Sequence, residues 1–215
     1  MYINIHSHHR GTENQFVIQN LVNLFEENQE TGYYSVGLHP WHLDASTWQQ
    51  HFAQLKKISK ARNVVAIGEC GLDRICSTDY NLQKEVFLAQ LLWANEIKKP
   101  LIIHCVRAYE DLLPLISKYN NNVPVIFHGF NKNMLLAKKI LDAGHWISFG
   151  KALMYAQLSE VFYSIPSDRY FLETDDSAIS IEQVYKAATA IKNISSDTLD
   201  LQLLKNVEKV FNIKL

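Results

Sequence analysis

From about residue 33 onward, short apolar runs alternate with amphipathic stretches in a regular order. Six runs, at 33–38, 64–68, 101–104, 123–127, 146–149 and 170–173, are continuous and rich in Val, Ile, Phe and Tyr. Strands buried on both faces have that composition, because neither face needs polar residues. Between the runs lie helical stretches at 46–60, 79–98, 108–118, 132–143, 152–163 and 180–193, with a final one near 199–211. Asp44 stands before the first as an N-cap, Asn131 before the fourth, and Gly144 follows that fourth stretch as a stop. A repeated strand–helix order implies right-handed parallel crossovers, hence an α/β protein.

The beginning of the chain is less regular. Residues 2–6 read as one strand and 16–21 as a second. With the six above they make eight, the number that closes a TIM-type (β/α)8 barrel. The stretch from His8 to Phe16 is too short for a normal crossover helix. Either extended chain replaces the first crossover helix, or the second strand is displaced; an open doubly wound sheet is the remaining alternative. No linker or low-complexity segment interrupts the pattern, so residues 1–215 read as a single domain.

Composition narrows the function. A chain of 215 residues can bury one sizeable core. Its formal net charge of −1 argues against a broad basic surface for nucleic acid. A small phosphate site stays open, because a bound metal ion supplies positive charge that composition does not show. Cys70, Cys76 and Cys105 are an odd count without a disulfide pattern, so reduced thiols and a cytoplasmic location are expected. No window approaches a membrane span and no leader pattern opens the chain, so no membrane association is expected.

The candidate chemistry collects at the ends of the apolar runs. His6 and His8 close the first as H-x-H, Glu69 ends VVAIGE, His104 ends LIIH, His128 follows VIF, and Asp175 lies just beyond YFLE. In a barrel of parallel strands all these ends open on one face, where barrel active sites lie. Residues i and i+2 of a strand share a face, so His6 and His8 can grip one ion. Imidazoles and carboxylates suit Zn, Mn, Fe or Co, with Mg where oxygen ligands and waters dominate. Six ligands exceed what one tetrahedral zinc needs and favour two ions sharing a carboxylate.

At these residues the chain resembles the TatD family of metal-dependent hydrolases, in the amidohydrolase superfamily. The matching motifs run in order: His6-Ser7-His8, Gly37-Leu38-His39-Pro40, Gly68-Glu69-Cys70-Gly71-Leu72-Asp73, Ile103-His104-Cys105 with Ala108, Phe127-His128-Gly129-Phe130, and Glu173-Thr174-Asp175. The resemblance implies a TIM-type barrel and a metal-dependent deoxyribonuclease. It also implies that His6 and His8 hold one divalent ion (Mg, Mn, Zn or Co), that His104 and His128 hold a second, and that Glu69 bridges them. Asp175 would complete the first site and take up the proton of the attacking water, and His39 would serve the substrate side or support a ligand.

Four departures from the family pattern bear on substrate more than on chemistry. Asn4 stands where the family has Asp, Val106 occupies an arginine position next to Arg107, and Gly129-Phe130-Asn131-Lys132 replaces the usual Cys-Phe-Ser-Gly. The N-terminal region is also shorter than usual. For a phosphodiester substrate, Arg74, Arg107, Lys132 and Lys151 are candidate phosphate partners, and Trp41 and Tyr155 candidate stacking faces. Short or single-stranded DNA is the expected partner. The same ligand set would also serve an amidase, a lactonase or a small-phosphoester hydrolase, and a non-catalytic metal-binding protein is the alternative outside enzymes.

Overall fold

A computed structural model describes residues 1–21 and 31–214 of the chain. These residues hold eight strands: β1 (Tyr2–Ser7), β2 (Gln15–Leu21), β3 (Tyr33–Val36), β4 (Val64–Asp73), β5 (Leu101–Val106), β6 (Val125–Phe127), β7 (Trp146–Phe149) and β8 (Tyr170–Leu172). The helices are α1 (Trp48–Ile58), α2 (Tyr80–Ile97), α3 (Tyr109–Lys118), α4 (Met134–Asp142), α5 (Ser159–Ser164), α6 (Ile181–Lys192) and α7 (Ser196–Phe211). The chain groups into two compact units, Met1–Gln19 with Ile126–Leu215, and Asn20–Val125.

In the first unit, β1 pairs in parallel with β2, matching Tyr2 to Gln15 and Ile3 to Phe16. No helix lies between them, so extended chain replaces the first crossover helix. β6, β7 and β8 pair in parallel in chain order. Backbone bonds from Thr174 and Asp175 to the His6 carbonyl, and from His8 to the Asp175 carbonyl, join the first strand to the chain leaving the last. A barrel needs that pairing where its first and last strands meet. Tyr2 packs edge-on against Tyr185 of α6, and Phe171 of β8 against Phe211 of α7.

The second unit is built on β3, β4 and β5, all parallel. All ten residues of β4 are buried, as a strand covered on both faces requires. Its apolar run stops at Gly68, yet the strand continues to Asp73, with Gly71 opposite His104. A Cβ on Gly71 would collide with the His104 carbonyl oxygen, so this close approach of two backbones needs glycine. Two buried glutamines of α2 tie the helix to the strand ends. Gln90 bonds both the N–H and the carbonyl of Leu38, and Gln83 does the same for Asp73.

Local differences from the sequence reading have local causes. Asp44 does not cap α1; its carboxylate accepts from Ser46 in a turn before the N-cap, Thr47. Asn133, not Asn131, caps α4, accepting from the Leu136 N–H. The helix expected over 152–163 is two single turns, Lys151–Met154 and Ala156–Leu158, followed by the short α5. Tyr155 holds extended backbone between those turns and interrupts the helical ladder. The inward residues Leu153 and Leu158 are five apart, a spacing that one straight helix does not bury on one face.

Candidate metal-binding site

Each unit carries part of the expected ligand set. In the first unit, His6 and His8 project from the end of β1, and the Nε2 atoms of both lie near Asp175 Oδ1, at 3.4 and 3.3 Å. Their ligand atoms and that of Asp175 are all within 4.8 Å of one another. Asp175 has a left-handed backbone (φ +56°), a conformation that Asp tolerates better than most residues. Burial alone would raise its carboxyl pKa. The hydrogen bonds from His6 and His8 and the nearby imidazoles outweigh this and hold it well below the ordinary carboxylate range.

His128 stands in the same unit with its ring 4.4 Å from that of His6. Its Nδ1 faces Glu173 Oε1 at 3.4 Å, and that oxygen also accepts the Gly129 N–H at 2.7 Å. A carboxylate behind one ring nitrogen fixes the tautomer and turns the other nitrogen outward, the usual support of a metal-ligating histidine. Asn4 is buried and clamps the neighbouring strand end: its side chain donates to Thr174 Oγ1 and accepts the Thr174 N–H. It therefore orients β1 against the Glu173-Thr174-Asp175 segment.

In the second unit, His39, Glu69 and His104 offer ligand atoms within the same 4.8 Å limit. Glu69 Oε1 faces His39 Nε2 at 3.2 Å and His104 Nδ1 at 2.8 Å. The two histidines differ in what holds their far nitrogens. The Trp41 backbone N–H donates to His39 Nδ1, so neutral His39 carries its proton on Nε2 and donates to Glu69. Burial lowers the His39 pKa against the pull of Glu69. That arrangement suits a supporting or substrate-side histidine.

His104 is held the other way round. Its Nε2 meets Asp73 Oδ2 at 3.1 Å, and Asp73 also accepts from the Trp41 indole and the Ile75 N–H. Burial would raise the Asp73 carboxyl pKa, but these hydrogen bonds lower it. Carboxylates therefore face both nitrogens of His104. A neutral imidazole can donate through only one of them. The other contact, Nδ1 to Glu69, requires a shared cation, either a second proton or a metal ion.

The outer candidates are more scattered. Arg74 pairs with Asp111 and lies over the Tyr80 ring, so its guanidinium is already engaged. Arg107, Lys132 and Lys151 are exposed, as is Tyr155. Asp73 and Glu173 stood within recognised motifs, but sequence reasoning gave them no role. Asp73 lies four residues after Glu69 on one strand and so shares its face. None of the three cysteines forms a disulfide; Cys70 is buried and the other two are half-buried. No helix among the described residues is long and apolar enough to cross a membrane.

Residues 7–212 match the model of the TatD related DNase family, so the chain belongs to that family of metal-dependent hydrolases. An uncharacterized metal-dependent hydrolase of Buchnera aphidicola (subsp. Baizongia pistaciae) is 28% identical over 197 residues, covering 83% of this chain and 74% of its own. A 3'-5' ssDNA/RNA exonuclease TatD of Pantoea ananatis is 32% identical over 161 residues, covering 71% of this chain. This chain spans only 60% of that exonuclease. Among solved structures, YjjV, a TatD homologue from Escherichia coli K12, aligns with a TM-score of 0.78 at 22% identity, over 92% of this chain and 86% of its own. That likeness establishes the barrel fold of alternating parallel strands and helices.

Proposed function

We propose that this chain is a single catalytic domain that hydrolyses phosphodiester bonds in short or single-stranded DNA. Two divalent ions would be held by His6, His8, Glu69, His104, His128 and Asp175. The observation that carries the reading is His104 between Asp73 and Glu69, where a metal ion on the Glu69 side would satisfy the contact that a neutral imidazole leaves without a donor. Four imidazoles and two carboxylates suit Zn, Mn or Co, with Mg where waters complete the shell. Such ions, when bound, supply Lewis acidity and positive charge beside a phosphate.

The chain's own residues set the geometry. Asp73 and Glu173 hold His104 and His128 in one tautomer, and Asn4 keeps Asp175 at the end of β1. Asp175 would receive the proton of the attacking water. Arg107 and Lys132, both exposed, are candidate partners for flanking phosphates; Arg74 would first have to leave Asp111. The relatives named 3'-5' ssDNA/RNA exonuclease support a nucleic-acid substrate. Three thiols outside disulfides suit a reducing compartment such as the cytoplasm.

The test is hydrolysis of a short single-stranded DNA by metal-stripped protein, with Mg, Mn, Zn and Co restored separately and Asp175→Asn as control. Cleavage that needs metal and disappears in the control is the expected result. Two bound ions per chain with uncut DNA would move the assignment to amides, lactones or small phosphoesters. Failure to bind any ion would overturn it.

A further inference from the structure

Of the four tryptophans, Trp48, Trp93 and Trp146 are buried, whereas Trp41 is 56% exposed. An exposed tryptophan is usually free to turn. Trp41 is not, because its indole N–H donates to the buried Asp73 carboxylate at 2.6 Å and its backbone N–H donates to His39. Its ring stands edge-to-face with His39 at 5.0 Å and with His104 at 5.7 Å. A large aromatic face is thus fixed beside the candidate ligands Glu69 and His104 while remaining open to solvent. Burial of apolar surface does not explain that placement, since more than half of the residue stays in water.

We infer that Trp41 is the stacking platform for a nucleobase next to the phosphate to be cut. This rests on the phosphodiesterase reading and sharpens it to a substrate that carries a base, as opposed to a bare phosphoester or a lactone. Every base has a π-face, so the platform accepts DNA without sequence preference. A ring already locked in place gives up little freedom on binding, which favours contact with one or two nucleotides at a strand end. The contact also explains how a chain with net charge −1 can recognise a polyanion without a basic stripe.

Two measurements separate this inference from the reading beneath it. The first uses metal-free protein and tryptophan fluorescence. Trp41 should supply the solvent-exposed, iodide-accessible emission, and oligothymidylate should quench that component. The same oligomer carrying abasic tetrahydrofuran residues should not, and Trp41→Phe should lose the component while the buried emission stays unchanged, reporting an intact fold. The second measures hydrolysis of both oligomers with metal restored. Trp41→Ala should raise KM for oligothymidylate about ten- to a hundredfold more than KM for the abasic oligomer, the range of one base stack. Trp41→Phe, which stacks without the indole donor, should keep most of the preference.

If Trp41 only oriented Asp73, both variants would lower kcat on both substrates alike, and the inference would fall. Equal quenching and equal KM for the two oligomers would also remove it, with the phosphodiesterase reading left standing. Neither quenching nor cleavage would remove both.

Discussion

The two histidine groups solve the same problem by different means. In the second unit, one short segment does most of the work: Glu69 and Asp73 belong to a single strand and face the two nitrogens of His104. In the first unit, His6 and His8 converge on one oxygen of Asp175, a residue far away in sequence. There the geometry depends on pairing between β1 and the chain after β8, reinforced by Asn4 and Thr174. One group is set by local strand structure and the other by closure of the fold. The first kind should respond to single side-chain changes, the second to anything that loosens the pairing.

The largest expected effect is that of Glu69→Ala. It removes the carboxylate that faces both His39 and His104, so activity should fall to background and metal content should drop, as measured by elemental analysis. Near-wild-type turnover would break the assignment of this group. Next is Asp73→Asn, which would place an amide against His104 Nε2 and the Trp41 indole and disfavour the ligating tautomer. Loss of a carboxylate behind a metal histidine typically lowers affinity or activity about 10–100-fold. Metal titration of the variant should show that loss.

Glu173→Gln is the matching change in the other unit. Its contact to His128 is longer, 3.4 Å, and its stronger bond goes to the Gly129 N–H, which the glutamine oxygen can still accept. Metal affinity should therefore fall less than in Asp73→Asn; an equal or larger fall would erase the contrast between the groups. Asn4→Ala removes two buried side-chain hydrogen bonds to Thr174, whose N–H keeps the His6 carbonyl, a loss of about 1–3 kcal/mol. Urea unfolding should show it as a lower midpoint with an unchanged slope.

A histidine outside both groups gives the smallest effect and a control. Burial lowers the His145 pKa to about 4 from the ordinary value of 6.5. The unfolded chain then binds the extra proton first, so stability contributed by neutral His145 is present above pH 6.5 and is lost as pH falls toward 4. With its partial exposure discounted, the loss is about 1 kcal/mol. His145→Gln should flatten that part of the stability profile and leave metal binding unchanged.

The strands were legible because their two buried faces leave uninterrupted apolar runs, as in Val64–Ile67 and Leu101–Ile103. The ligands were legible because polar residues at the ends of such runs have few structural reasons to be there. The extension of β4 through Glu69 to Asp73 was not legible, since two acids and a glycine in five residues look like a loop. Only the partner strand and the glutamines of α2 reveal it. Gln83 and Gln90 themselves gave no signal: a glutamine on a helix is ordinarily solvent-facing, and only packing shows that both are about 1% exposed. The break at Tyr155 was hidden because the residues on either side keep helix-forming composition.

Those two glutamines have a consequence for how such a chain can diversify. They lie seven residues apart on one helix and fasten the backbone at Leu38 and Asp73, the last fixed points before two loops begin. Everything beyond, including the indole at residue 41 and the turn after residue 73, hangs from riveted ends. A graft that replaced either loop would start from the same anchor, so the mouth of the enzyme could be refitted for a new substrate while the ligand-bearing strands keep their register.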